Sequence, residues 1–264
     1  MAIKLIALDL DGTLLTSDKK ITTRTKDILA RAMSRGVTVT IATGRMLRSA
    51  VYFARLLASD APVICCNGGY VGKAEGEPVF ARYFDPALTR EFLTFAYERD
   101  WYVNWYIGTE IYAPEYREEY FAAYRTTAHF TVNGVGSDYL RYTENVPQFV
   151  LRELDEGIGS YVRAVQERFG DQLVPQQNTG TSVDINPPGI NKAVGVAALA
   201  DAMGLTLDKV MVAGDADNDY EMLEMGAFSV VPENGLPGAK ERARYITASN
   251  DANGIALAIE KFVL

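Results

Sequence analysis

Two carboxylates one residue apart, Asp9 and Asp11, close the apolar run "IKLIALDLDGTLLTSD". Residues two apart on an extended strand share a face, so the spacing predicts like charges side by side. A hard cation would offset that repulsion. A second acidic cluster, "AGDADND", follows another apolar strand and carries Asp215, Asp217 and Asp219. In open α/β sheets, ligands bind beyond the carboxyl ends of the strands, above all where strand order reverses. If the two strands pair, their carboxylates converge on one crevice, and oxygen donors without thiolates favour Mg²⁺ over zinc. Asp215, Asp217 and Asp219 also have the one-three-five spacing of a calcium loop. That motif needs Gly at position six and Glu at twelve, where this chain has Tyr220 and Gly226.

Two further stretches suit an anion. "IATGR" places Thr43 and Gly44 at a strand-to-helix junction, where a hydroxyl and free backbone N–H groups cradle phosphate. Lys192 opens a helix, an unfavourable end for a cation, so a local anion would explain it. Alone, the first suits a plain N-cap and the second a solvated lysine. Their combination with the acids points to phosphate chemistry.

The elements that position these residues alternate. "KLIALDL" reads as a strand, "TTRTKDILARAMSRG" as a helix stopped at Gly36, "VTVTIATGR" as a β-branched strand, and "APVICCNGGYV" as a third strand. After a middle segment the rhythm returns with the helix "NKAVGVAALADAMG" and the strand "KVMVAGD". There follow the helix "NDYEMLEMG", the strands "FSVVP" and "RYITA", and the helix "NGIALAIEKFV". Near-continuous apolar strands between helices predict a Rossmann-like parallel α/β sheet with helices on both faces. Between about Asp85 and Asn186 the chain holds both tryptophans and most of the tyrosines, in alternating stretches such as "WYVNWYIGTEIYAPEY". Alternation suits a sheet with one solvated face, so this segment predicts an inserted α+β domain. The Pro-containing connections "FDPAL" and "INPPGINK" give a core of 1–84 and 187–264 and an insert of 85–186.

Composition narrows the partners. With 264 residues, 48% hydrophobic and 23% charged, the chain has ordinary globular values and length for two domains. A net charge of −8 without a basic stripe argues against nucleic acid and anionic membranes. A strand beginning by Ile3 leaves no room for a secretion leader, and no apolar run reaches the ~20 residues of a membrane span. A cytoplasmic protein acting on a small molecule is expected. Cys65 and Cys66 face opposite ways in an extended run and are read as buried thiols. His129, the single histidine, lies far from the acidic motifs and is read as a structural or surface residue.

In order and spacing, "DLDGTL", "TGR", the lysine of "GINKA" and "GDADND" resemble the four motifs of the haloacid dehalogenase-like superfamily. The chain is most similar to its Cof-type phosphatases, whose α/β cap lies between the second and third motifs. The resemblance extends to "NGG" at Asn67 to Gly69 and to "ITASNDANGIALAIEKF", whereas "GAFSVVPENG" departs from the family's usual "VAMGNA"-like run. It implies that Asp9 is a nucleophile forming an aspartyl-phosphate and that Asp11 is the acid and base. Mg²⁺ would be held by Asp9, the main-chain carbonyl of Asp11 and Asp215, with Asp219 in support. Phosphoryl oxygens would be held by the Leu10 N–H, Thr43, Gly44, Lys192 and Asn218. Arg45, Asn67 and Gly68 are candidate substrate contacts, and Asp217 receives no role. As the resemblance implies, dehalogenases lack the second aspartate, which favours a phosphatase of small phosphorylated metabolites. A sugar-phosphate mutase and a non-enzymatic phosphoacceptor module are the alternatives.

Overall fold

The computed structural model describes residues 2–121, 130–154, 157–179 and 181–264. They form two compact units, one of Met1–Arg45, Ala50–Phe80 and Asn191–Leu264, the other of Met46–Ser49 and Ala81–Ile190.

The first unit opens on β1 (Leu5–Leu8), whose four apolar side chains are all buried. Truncating one of them, as in Leu5→Ala, typically costs about 2–5 kcal/mol. Helix α1 (Thr23–Ser34) begins where the Thr22 side chain accepts from Thr25 N, and it buries Ile28, Leu29 and Ala32. Then come β2 (Thr38–Ile41), α2 (Leu47–Leu56), β3 (Val63–Cys65), β4 (Tyr70–Gly72) and β5 (Phe80–Ala81). The single strand expected over "APVICCNGGYV" is broken. Cys66, Asn67 and Gly68 take positive φ values of 53°, 51° and 92°, which turn the chain so that β4 runs back antiparallel to β3. Both cysteines are buried and unbridged.

In the second unit, α3 (Pro86–Tyr97) is capped by Asp85, which accepts from Ala87 N and Leu88 N. It is followed by β6 (Tyr102–Ile107), β7 (Glu110–Ala113), α4 (Glu118–Phe121), β8 (Val132–Gly134) and β9 (Phe149–Arg152). Helix α5 (Ile158–Phe169) and strands β10 (Val174–Thr179) and β11 (Ser182–Asn186) complete it. The six strands lie in the order β10-β11-β9-β6-β7-β8, antiparallel except for β7 and β8. Phe92, Trp105, Phe149 and Phe169 pack on one face of this sheet. The solvated opposite face expected from the alternation is not found at β6, where Tyr102 through Tyr106 are all buried. Polar Asn104 and Arg152 are buried on that face, with Arg152 Nε donating to Asn104 Oδ1 at 2.7 Å. His129 lies outside the described residues.

The chain returns to the first unit with α6 (Lys192–Ala202), β12 (Val210–Ala213), α7 (Tyr220–Glu224) and β13 (Phe228–Pro232). It ends with α8 (Pro237–Arg242), β14 (Tyr245–Thr247) and α9 (Gly254–Phe262). Five parallel strands form a sheet in the order β14-β13-β12-β1-β2. β3 is joined to it by an isolated parallel bridge between Ala42 and Ile64. Strand order reverses at β1, between β12 and β2, and Leu8 is in register with Ala213. The residues just beyond, Asp9 and Asp215, therefore leave the sheet at the same edge. Among the described residues, no helix is long and apolar enough to cross a membrane.

Candidate active site

The site lies wholly within the first unit, at the carboxyl ends of β1, β2 and β12. β1 stops at Leu8, so Asp9 and Asp11 do not stand side by side on a strand as the spacing predicts. Asp11 (φ −78°, ψ 121°) and Gly12 (φ 79°, ψ −10°) occupy the central positions of a type II turn, which sends the two carboxylates different ways. Gly12 is required there twice over. Its positive φ suits glycine, and a Cβ would come within 2.3 Å of Asp215 Oδ2.

Asp9 is turned inward. Lys192 Nζ, fully buried at the first position of α6, donates to Asp9 Oδ1 and Asp219 Oδ1 at 2.7 Å each. The anion expected opposite this lysine is thus supplied by the protein's own carboxylates. Carboxylate oxygens of Asp9, Asp215 and Asp219 lie within 4.8 Å of one another, close enough to hold one metal ion. Three such oxygens with one lysine leave excess negative charge in a desolvated pocket, the donor chemistry that a hard divalent cation fits. Burial pushes Asp9 well above the usual carboxylate range, with Asp219 and Asp215 adding to the effect and Lys192 opposing it. Asp215 is pushed up to about 6 by burial and by Asp219, against a hydrogen bond from Thr13. Lys192 is held firmly protonated, because Asp219 and Asp9 outweigh its desolvation.

Asp219 is already occupied on both oxygens. Oδ1 accepts from Lys192, and Oδ2 accepts from the main-chain N–H groups of Asp215 and Ala216 at 2.9 and 3.1 Å. Asp219 thereby fixes the loop that presents Asp215. Thr13 Oγ1 donates to Asp215 Oδ1 at 2.7 Å and ties that loop to the β1 turn.

Asp11 faces the other way. Arg45 grips it with two prongs, Nε to Oδ2 at 2.7 Å and a terminal nitrogen to Oδ1 at 2.8 Å, and Lys19 Nζ adds a third bond at 2.7 Å. Burial alone would raise the Asp11 carboxyl, but Arg45 and then Lys19 hold it down at about 2. Arg45, a candidate substrate contact by sequence, is therefore engaged with the candidate acid and base.

Thr43 and Gly44 leave the end of β2, but α2 starts only at Leu47, so the helix N-terminus is not directly at Thr43. The buried Thr43 accepts at Oγ1 from Arg45 N at 3.2 Å, and its N–H donates to Ile64 O at 2.9 Å. Asn67 N–H donates to Thr43 O at 3.1 Å, and Asn218 Nδ2 donates to Asn67 Oδ1 at 3.2 Å. Gly68 packs so closely that a Cβ would sit 2.1 Å from Asn191 O, beside the cap of α6. Thr43, Asn67, Gly68, Lys192 and Asn218 are thus brought together with the acids, and Asp217 is exposed to solvent. Thr13, Asn234 and Asn250 were not singled out by sequence. Asn234 Nδ2 donates to Gly12 O at 2.7 Å, its Oδ1 accepts from Asn250 N at 2.9 Å, and Asn250 Nδ2 donates to Leu15 O at 2.8 Å. All three lie in stretches quoted above, Thr13 in "DLDGTL", Asn234 in "GAFSVVPENG" and Asn250 in "ITASNDANGIALAIEKF", with no role attached to them there.

The haloacid dehalogenase-like hydrolase family model matches residues 6–259. The chain belongs to the haloacid dehalogenase-like hydrolases. The relatives agree along the whole length. A Streptococcus pyogenes protein named as a putative phosphatase is 32% identical, over 100% of both chains. An Escherichia coli 5-amino-6-(5-phospho-D-ribitylamino)uracil phosphatase is 29% identical, over 99% of this chain and 96% of that one. Among solved structures, a haloacid dehalogenase-like hydrolase from Bacteroides thetaiotaomicron matches with a TM-score of 0.88 at 25% identity, over 98% of this chain and 99% of the other. A Thermotoga maritima protein with the same fold gives 0.87 at 22% identity, over 99% and 98%.

Proposed function

We propose that the protein is a Mg²⁺-dependent phosphatase of small phosphorylated metabolites that works through an aspartyl-phosphate on Asp9. The observation that carries the reading is the carboxylate cluster of buried Asp9 and Asp219, bridged by Lys192, with half-buried Asp215, at the edge where strand order reverses. Asp9 Oδ1 accepts from Lys192, and in this reading the other oxygen, Oδ2, attacks phosphorus. As the Asp9–phosphorus bond forms, the bond to the leaving oxygen breaks and Asp11, which must first leave Arg45 and Lys19 and take up a proton from solvent, gives that oxygen the proton. Asp11, now a carboxylate, takes a proton from a water that attacks phosphorus, and Asp9 is released. Lys192, Thr43, Asn218 and the main-chain N–H groups of Leu10 and Gly44 hold the phosphoryl oxygens and stabilise charge during transfer. Asp9, the Asp11 carbonyl and Asp215 would hold Mg²⁺, which supplies charge neutralisation for phosphoryl transfer.

We assign substrate choice to the second unit, as a cap. Four relatives at 23–29% identity are named as 5-amino-6-(5-phospho-D-ribitylamino)uracil phosphatases, which makes that compound the first candidate to assay. The test is phosphate release from a panel of sugar, polyol and nucleotide monophosphates that includes it, with Mg²⁺ and with excess EDTA. Turnover that needs Mg²⁺ and disappears in Asp9→Asn supports the reading. Undiminished turnover in EDTA, or in folded Asp9→Asn, overturns it.

A further inference from the structure

The loop after β13 spans the two acid-bearing turns. Pro232 to Gly235 forms a tight turn closed by Gly235 N–H to Pro232 O at 2.8 Å, with Asn234 at its third position. From there the Asn234 side chain reaches 222 residues back along the sequence and donates to Gly12 O at 2.7 Å. Two residues further, Leu236 N–H donates to Asp215 O at 2.8 Å. The loop is pressed against the second turn, since a Cβ on Gly235 would lie 3.4 Å from Asp215 Cα. Its far side is anchored where Asn250 N–H donates to Asn234 Oδ1 at 2.9 Å.

The Gly12 carbonyl has no partner in the helical sense, because Asp11 and Gly12 have left helical geometry. Asn234 satisfies it, and in doing so fixes the peptide that follows the Asp11 carbonyl. One short loop thus holds the main chain on both sides of the carboxylate cluster. Neither Asn234 nor Leu236 supplies a carboxylate or touches one.

We infer that Asn234 is a positioning residue for the divalent cation, bracing the Asp11–Gly12 turn against the Asp215 loop beside the carboxylate cluster. The inference rests on the Mg²⁺ reading above. Groups behind the direct ligands of a metal, when removed, typically weaken binding by 10- to 100-fold. Asn234 acts through the backbone, so the lower end, about 10-fold, is expected. Asn234 is exposed, so truncating it removes no core packing.

The experiment titrates Mg²⁺ alone into the full chain by calorimetry, without substrate. Asn234→Ala, and Asn234→Ser as a second truncation, should bind Mg²⁺ about 10-fold more weakly than wild type. The KM for the phosphate ester at saturating Mg²⁺ should not change. Glu233→Ala, an exposed neighbour in the same turn, should bind as wild type does. Wild-type Mg²⁺ affinity in the folded Asn234 variants, or an equal loss in Glu233→Ala, overturns the brace. A wild-type chain that takes up no Mg²⁺ overturns the cation reading itself, and the two failures are thereby distinguished.

Discussion

At the residue scale, Asp9 and Asp11 are separated by one residue and by two opposite electrostatic environments. Asp9 is buried against Lys192, whereas Asp11 is gripped by Arg45 and Lys19. If Asp11 protonates the leaving oxygen, Asp11→Asn should slow phosphorylation of Asp9 most for poor leaving groups. General acid–base catalysis contributes about 10²- to 10⁴-fold, so loss in that range is expected for a sugar phosphate and a smaller loss for an aryl phosphate. Rapid-quench measurement with both substrates decides it, and equal slowing would remove the acid role. The acids also set a pH dependence. Asp215 and Asp9 hold protons more tightly in the metal-free fold than in the unfolded chain, Asp215 with a value of about 6. Each favours the fold at low pH and loses that contribution as pH rises through the folded value. Asp11 has the opposite sign, with stability lost only as pH falls towards about 2. Mg²⁺ should therefore raise the Tm more at pH 7.5 than at pH 5.5, and an equal rise at both would contradict the coupling. Lys192→Met leaves two buried carboxylates without their cation, which should destabilise the metal-free protein by about 3–5 kcal/mol in urea unfolding.

At the scale of elements, the sequence announced the parallel sheet because buried strands such as "LIAL" and "VMVA" read as continuous apolar runs. It also announced which strand ends carry acids. It did not announce that β1 stops before Asp9, because hydrophobicity continues through Leu10 while the backbone does not. Nor did it show the break after β3, where Cys66 and Asn67 adopt a left-handed conformation that composition does not encode. Arg45 on Asp11 and Asn234 on Gly12 were invisible for another reason. A side chain reaching an atom 34 or 222 positions away leaves no periodic trace. The glycines of these turns differ in a measurable way. Gly68→Ala meets both a positive φ and a backbone oxygen 2.1 Å away, whereas Gly36→Ala has a positive φ in open space. Alanine at Gly36 should cost about 1 kcal/mol in urea unfolding, and alanine at Gly68 clearly more. Equal midpoints for the two variants would show that the contact with Asn191 carries no weight.

At the scale of the whole molecule, the catalytic candidates belong to one unit, yet that unit is written in pieces on either side of the other. β1 pairs with β2, which follows it closely, and with β12, which begins at Val210. This has a consequence for synthesis on the ribosome. Asp9 emerges before the bulk of the second unit, but Lys192, Asp215 and Asp219 emerge only after all of it. Until then one edge of β1 has no partner and the nascent protein has no site. A chain released at Ile190 should therefore show no phosphate release and should associate through its open strand edge, whereas the second unit is already complete at that length.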